Sequence, residues 1–166
     1  MIQEEFRRNV LNLVELSFMA LWVGSIDSYV QGTIKDSMKV PIDEFKQNVM
    51  QLIEVFSVLT QHSVPLLVIS PPAPNERMME KDWLRAFDCD YVDFYRFRTI
   101  EETKKYAEVI AEAVQEFIQM TENAKVVYVD AFRFSLSLDY EDYAADGLHL
   151  SSKGNQTFSQ YLLNYI

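Results

Sequence analysis

Little in this chain is suited to covalent cross-linking. Cys89 is the only cysteine in 166 residues, so no intramolecular disulfide can form, and a reducing compartment, the cytoplasm, is the expected setting. The Gly-x-Ser-x-Gly elbow used by many serine nucleophiles is absent from a sequence with only four glycines. The two histidines, His62 and His149, stand far apart, and no Cys/His cluster exists to hold a metal. Neither a metal nor another cofactor is therefore expected. Basic side chains are outnumbered 15 to 25 by acidic ones, and a net charge of −10 excludes sequence-independent nucleic-acid binding, which needs a basic surface to displace counterions. Long apolar runs are missing too. Arg7 and Arg8 precede the mostly apolar Val10–Ile26, but Asn12 and Glu15 interrupt it and no small-x-small cleavage site follows. The run is also short for a membrane span. It reads as a buried strand, and no membrane partner is expected.

What remains is an ordinary soluble composition, 49% hydrophobic and 24% charged, in a length that makes one domain over residues 1–166. Ile2, Phe6, Val10 and Leu13 have helical spacing. Leu16–Val23 is a near-continuous apolar run of strand length, as for a strand covered on both faces, and Gly24 ends it. A polar loop follows, with Gly32 inside it. Pro41, with Asp43 and Glu44 behind it, opens a helix whose apolar stripe is Phe45, Val49, Leu52, Phe56 and Leu59. His62, just past that helix, reads as a cation near a helix C-terminus.

Val64–Ser70 is a second buried strand, halted by Pro71-Pro72-Ala73-Pro74. A short helix over Asn75–Phe87 and an aromatic, acidic loop over Asp88–Phe97 come next. Thr99 and Glu102 have capping-box spacing before a long helix. That helix carries Tyr106, Ile110, Ala113 and Phe117 on one face and pairs Glu101 with Lys105. Lys125–Asp130 is a third strand, Ala131–Ala145 a variable segment, and Phe158, Tyr161, Leu162 and Tyr165 make the last helix amphipathic. Strands alternating with helices predict an α/β fold, a parallel sheet with helices on both faces. Ligands of such sheets bind beyond the carboxyl ends of the strands. Gly24–Asp27, the proline-rich turn and the segment after the third strand all fall on that edge.

The last of these is Asp146-Gly147-Leu148-His149-Leu150-Ser151-Ser152-Lys153-Gly154-Asn155. Asp146 lies three residues before His149, and Gly147 lets the chain turn the carboxylate towards the ring. A histidine acting as general base needs a neighbouring acid to fix its tautomer and stabilise its imidazolium. Asp-x-x-His also arises by chance in a chain this acidic, so the surrounding motifs decide.

Those motifs resemble the SGNH (GDSL-type) hydrolase superfamily, and within it the isoamyl acetate-hydrolysing esterase group. The matching pieces are Asp146–Gly154, Gly24-x-x-Asp27 after its strand, Val40–Asn48, Ile69–Pro74 and Tyr106-Ala107-Glu108, in order from about residue 16 onward. The resemblance implies a three-layer flavodoxin-like fold and a Ser-His-Asp triad in which Asp146 is the acid and His149 the base. It implies small carboxylic esters as substrates. Family members carry the serine in Gly-Asp-Ser after the first strand and an oxyanion asparagine in Gly-x-Asn-Asp.

This chain departs at both places. It contains no Gly-Asp-Ser, and its third block reads Gly24-Ser25-Ile26-Asp27, with an isoleucine that cannot donate a hydrogen bond where the asparagine would stand. Gly24 and Asp27 are thus the remnant of the oxyanion block. Ser25 is a candidate substitute nucleophile, although it matches the variable residue of that block. Relative to the family, the first strands are expected to be lacking. That would leave Leu16–Val23 at a sheet edge, where self-association is expected. Two readings stand open: an esterase-like hydrolase without its nucleophile, and a non-catalytic binding or interaction module on the same fold.

Overall fold

Parallel strands need crossovers long enough to return the chain to the same end of the sheet, and here each crossover carries helix. The computed structural model describes residues 16–30, 39–60, 62–87 and 98–166, with 83–87 as backbone alone. Strands β1 (Met19–Trp22), β2 (Leu66–Ile69) and β3 (Val126–Val129) form a parallel sheet in the order β1-β2-β3. Met19 lies beside Leu66, and Leu66 beside Val126. Helix α1 (Ile42–Leu59) fills the first crossover, and α2 (Glu76–Phe87) and α3 (Ile100–Met120) fill the second. After β3 come α4 (Ala131–Ser135), a 3-10 turn (Tyr140–Asp142) and α5 (Ser152–Leu162).

Alternation along the strands sorts the core into two layers. Leu66, Val68 and Val126 face α1 and α3, where they meet Phe45, Val49, Ile53, Tyr106, Ile110 and Phe117. Leu67, Ile69 and Val129 face the other way, onto Ala131 and Phe158. All four residues of β2 are buried, as a central strand with helices on both sides requires. The α/β class is as the sequence predicts. No described helix is long and apolar enough to cross a membrane.

The helix signals hold with adjustments. Thr99 accepts a hydrogen bond from Glu102 N at 3.1 Å and so caps α3, whose buried face includes Tyr106, Ile110, Ala113 and Phe117. The Glu102 carboxylate turns to Lys39 and Lys105 instead of closing a capping box, and it holds Lys105 at 2.7 Å where Glu101 stands 4.0 Å away. In α1 the buried stripe runs through Phe45, Val49 and Ile53, leaving Leu52 exposed. One residue decides this: Ile53 continues the i+4 row that Phe45 and Val49 begin.

Two sequence expectations need correction. The Leu16–Val23 run forms only four residues of strand, and they are not covered on both faces. Met19 and Leu21 pack against the α1/α3 layer, while Ala20 and Trp22 remain exposed. The strand sits at the edge of the described sheet, and Trp22 meets α5 through Phe158, with ring centroids 4.8 Å apart. The Ala131–Ala145 segment, read as variable, contains α4 and the 3-10 turn. Asp130 caps α4 through Arg133 N at 2.8 Å, a signal present in the sequence and passed over. The expected helix at residues 2–13, Gly32, and the 88–97 loop with Cys89 lie outside the described residues.

Helix α5 docks onto the 3-10 turn through Gly154. A Cβ there would lie 2.0 Å from the Asp142 carbonyl oxygen, which already accepts from Ser151 N at 2.8 Å. Alanine normally gains about 1 kcal/mol over glycine in a helix. Overpacking against backbone costs about 1–3 kcal/mol and should win. Gly154→Ala is expected to destabilise by roughly that amount in urea unfolding. A stabilised variant would show that the helix can withdraw from the turn.

Candidate active site

The segment 143–150 is a short loop closed on itself. Tyr143 and Leu150 form an antiparallel bridge, and Ala144 N donates to His149 O at 2.7 Å. The buried Tyr143 hydroxyl reaches the carbonyls of Ala73 and Ser135, each at 3.0 Å, tying the loop to the proline-rich turn and to α4. At its tip Gly147 has φ +70° and accepts from Asn75 N at 2.7 Å. A Cβ on Gly147 would sit 2.7 Å from both Asn75 O and Met79 N, so only glycine fits both the conformation and the gap.

This turn delivers the Asp146 carboxylate to three donors. Oδ1 accepts from Leu148 N at 2.9 Å and His149 N at 3.0 Å, while Oδ2 lies 2.5 Å from His149 Nδ1. Burial opposes the charge of Asp146. The His149 ring and the two backbone N–H groups outweigh it and hold the carboxyl below its ordinary value. An ionised Asp146 takes the proton-bearing Nδ1 as donor, so Nε2 of the neutral ring is left as the base. The ring is open to solvent, with 77% of the side chain exposed.

Beside His149 is a cavity of about 380 Å³ lined by Trp22, Ser25, Pro72, Leu148, His149, Leu150 and Asn155. Its walls come from the carboxyl ends of β1 and β2, from the 143–150 loop and from the first turn of α5. The Trp22 indole N–H donates to Ser70 O at 2.9 Å, which fixes the ring as one wall. Asn155 Nδ2 donates to Leu150 O at 3.2 Å.

The family comparison carries the chemistry further. The profile of a family described as GDSL-like Lipase/Acylhydrolase matches residues 3–162, nearly the whole chain. This protein belongs to that family. Among curated proteins, no sequence matches it. A solved structure described as a candidate platelet activating factor from Streptococcus pneumonia superposes with a TM-score of 0.56. The identity is 17%, over 99% of this chain and 90% of that one, a likeness that concerns the fold alone.

Within this GDSL-like acylhydrolase domain the site residues read from sequence separate into two groups. His149 and Ser25 line the cavity, and Asp146 stands behind it, joined to the His149 ring. Gly24 and Asp27 build the turn that precedes it and do not line it. Gly24, at φ +100°, packs against Pro71 and Phe45, with Pro71 Cδ 3.1 Å from where a Cβ would stand. Burial pushes the Asp27 carboxyl above its ordinary value, against hydrogen bonds from its own N–H and that of Gly24. Ile26 is 60% exposed and is no cavity wall. His62 lies at the opposite end of the sheet, between α1 and β2, on a separate cavity of about 340 Å³ with Met50 and Met120.

Sequence reasoning missed Trp22, Pro72 and Asn155 as cavity walls. It also missed Arg98, a buried guanidinium that donates to the Tyr29 hydroxyl at 3.3 Å and lies 4.7 Å from the centre of that ring. Burial lowers its pKa, while Tyr29 and the charge of Asp146 oppose that shift. Only the Asp-x-x-His spacing was a local signal. Among the described residues, no three His, Cys, Asp or Glu side chains gather as a metal site.

Because the folded pKa of Asp146 lies below its unfolded value of about 3.9, its contribution to stability is present above about pH 4. It is lost as pH falls through the lower, folded value. Asp146→Asn keeps an acceptor for the two N–H groups but loses the charge. At pH 7 it should cost about 0.2–1 kcal/mol, the range for exposed charged pairs. Urea unfolding at pH 7 and pH 3 checks this: the difference between the two proteins should shrink in acid. A difference that persists or grows there would refute the linkage.

Proposed function

We propose that this chain is a carboxylic-ester-directed acylhydrolase domain that keeps the acid–base half of the reaction and turns over negligibly. The observation that carries the reading is the 2.5 Å contact between Asp146 and His149 at a cavity on the carboxyl edge of the sheet. An oriented imidazole with a free Nε2 is what general-base activation of a hydroxyl needs. The motifs Val40–Asn48, Ile69–Pro74 and Asp146–Gly154 support a place near the isoamyl acetate-hydrolysing esterases, with short acyl esters as the ligand class. The lone cysteine supports a cytoplasmic setting.

The turnover part rests on the absence of Gly-Asp-Ser from these 166 residues and on Ile26 in place of a donor. Losing a triad nucleophile costs on the order of 10⁶ in rate, and losing an oxyanion donor about 10²–10³. The same two departures favour the second reading, a module that binds its ligand in the cavity without converting it. Purified protein on p-nitrophenyl acetate and butyrate, beside His149→Ala, tests the proposal. Steady-state release should not rise above background for either protein. Turnover well above background that vanishes in His149→Ala would overturn the claim of negligible catalysis.

As partners we propose a small ester and, through the β1 edge, a second copy of this chain. Phe18 and Trp22 are 38% and 44% exposed there, and no lysine or proline lies within the strand to block pairing. Sedimentation velocity over rising concentration should show association that Ala20→Lys reduces. A monomer at all concentrations would mean that the edge is covered.

A further inference from the structure

A base with a fixed tautomer raises the question of which hydroxyl it faces. Ser25 and His149 line the same cavity, although most of the chain separates them in sequence. Four other serines near this edge are committed, and Ser152 does not line the cavity. Ser28 Oγ donates to Ser25 O, Ser70 Oγ accepts from Phe132 N, Ser135 Oγ is held between Ala73 N and Phe132 O, and Ser151 Oγ caps α5 and donates to Glu141 O. The Ser25 hydroxyl makes no hydrogen bond to any described residue.

Its backbone is nonetheless fixed. Gly24 is seated against Pro71, Ser28 N donates to Gly24 O at 3.2 Å, and Ser28 Oγ reaches Ser25 O at 3.2 Å. Only the side-chain rotamer is left to choose among staggered positions.

We propose that Ser25 is the acyl-accepting nucleophile of this cavity, activated by His149 and Asp146. The proposal rests on the ester-directed reading of the site and names the residue that takes the acyl group. In the step, the Ser25 Oγ proton passes to His149 Nε2 as Oγ bonds to the carbonyl carbon. Collapse of the tetrahedral adduct breaks the ester C–O bond, the leaving alkoxide takes the proton back from Nε2, and an acyl-Ser25 ester remains. The backbone N–H of Ile26, the residue after the nucleophile, makes no hydrogen bond to any described residue, and in the proposed step it is the donor left for the oxyanion. With no side-chain donor from Ile26, acylation is slow and hydrolysis of the acyl-Ser25 ester, which forms the same oxyanion, is slow as well, so release is close to stoichiometric. This agrees with negligible steady-state turnover.

The test is covalent trapping, which needs no turnover. Full-length protein is incubated with diethyl p-nitrophenyl phosphate and followed by intact mass and peptide mapping. One diethylphosphoryl adduct is expected, on the peptide containing Ser25. It should be absent in Ser25→Ala, and it should form about 10²-fold more slowly in His149→Ala, the loss of a general base. Circular dichroism confirms that both variants are folded, and Ser25→Thr, which keeps a hydroxyl, should retain part of the labelling. No adduct, an adduct on another residue, or labelling of Ser25 that is indifferent to His149→Ala would overturn the proposal. The two readings fail separately: ester hydrolysis that depends on His149 but survives Ser25→Ala sinks Ser25 and the claim of negligible turnover, and leaves the ester-directed reading of the site standing. Failure of ligands of the ester class to bind would sink the functional reading beneath it.

Discussion

Between the tip of the 143–150 loop and the start of α2 there is room for a hydrogen atom and nothing larger. Gly147 gives its carbonyl to Asn75 N at 2.7 Å, and its φ of +70° sends the chain back so that Asp146 meets the His149 ring. The geometry of the Asp146–His149 pair is thus set by a backbone contact. Asn75 itself begins the turn into α2, since its side chain accepts from Met78 N at 3.2 Å. The residue that orients the loop therefore also starts a helix. Tyr143 and Gly154 brace the other end against the proline-rich turn and the 3-10 turn.

The sequence made some of this plain and hid the rest for physical reasons. Local patterns were readable: the four buried residues of β2, the Thr99 cap, the α3 face through Tyr106 and Phe117, and the Asp146–His149 pair, whose partners are three residues apart. Properties that depend on neighbours were not. Leu16–Val23 has the composition of an interior strand, yet Ala20 and Trp22 are exposed because coverage is decided by where α4 and α5 lie. The cavity was half legible. Its strand-end position follows from the parallel topology. Trp22 and Asn155 become walls only because β1 and α5 meet, with Phe158 against the indole.

The electrostatics of the pair are set by what surrounds the carboxylate. Burial opposes the charge of Asp146, but the His149 ring on one oxygen and two backbone donors on the other hold the carboxylate below its ordinary pKa. Arg98, buried against Tyr29, feels the same carboxylate from a different part of the chain. Open water around His149 weakens each of these effects, as it does for any exposed pair.

The bracing of the 143–150 loop also sets how this site would fail. Tyr143 with Leu150, Asp142 with Ser151 and Gly154, and Asp146 with His149 are all contacts of short sequence separation, and the long-range ties of this stretch, Gly147 to Asn75 and Tyr143 to Ala73, run to the segment after β2 and not to β1. Trp22 ends an edge strand, with Ser25 in the turn after it, and the pairing of that strand to β2 closes a loop of more than forty residues. Contacts of that kind carry the larger loop-closure entropy and are lost sooner under thermal or chemical stress. Strain on the sheet would therefore part the hydroxyl from its base while the aspartate and histidine stayed joined. Such a protein would keep the spectroscopic signature of an intact dyad after its chemistry had gone.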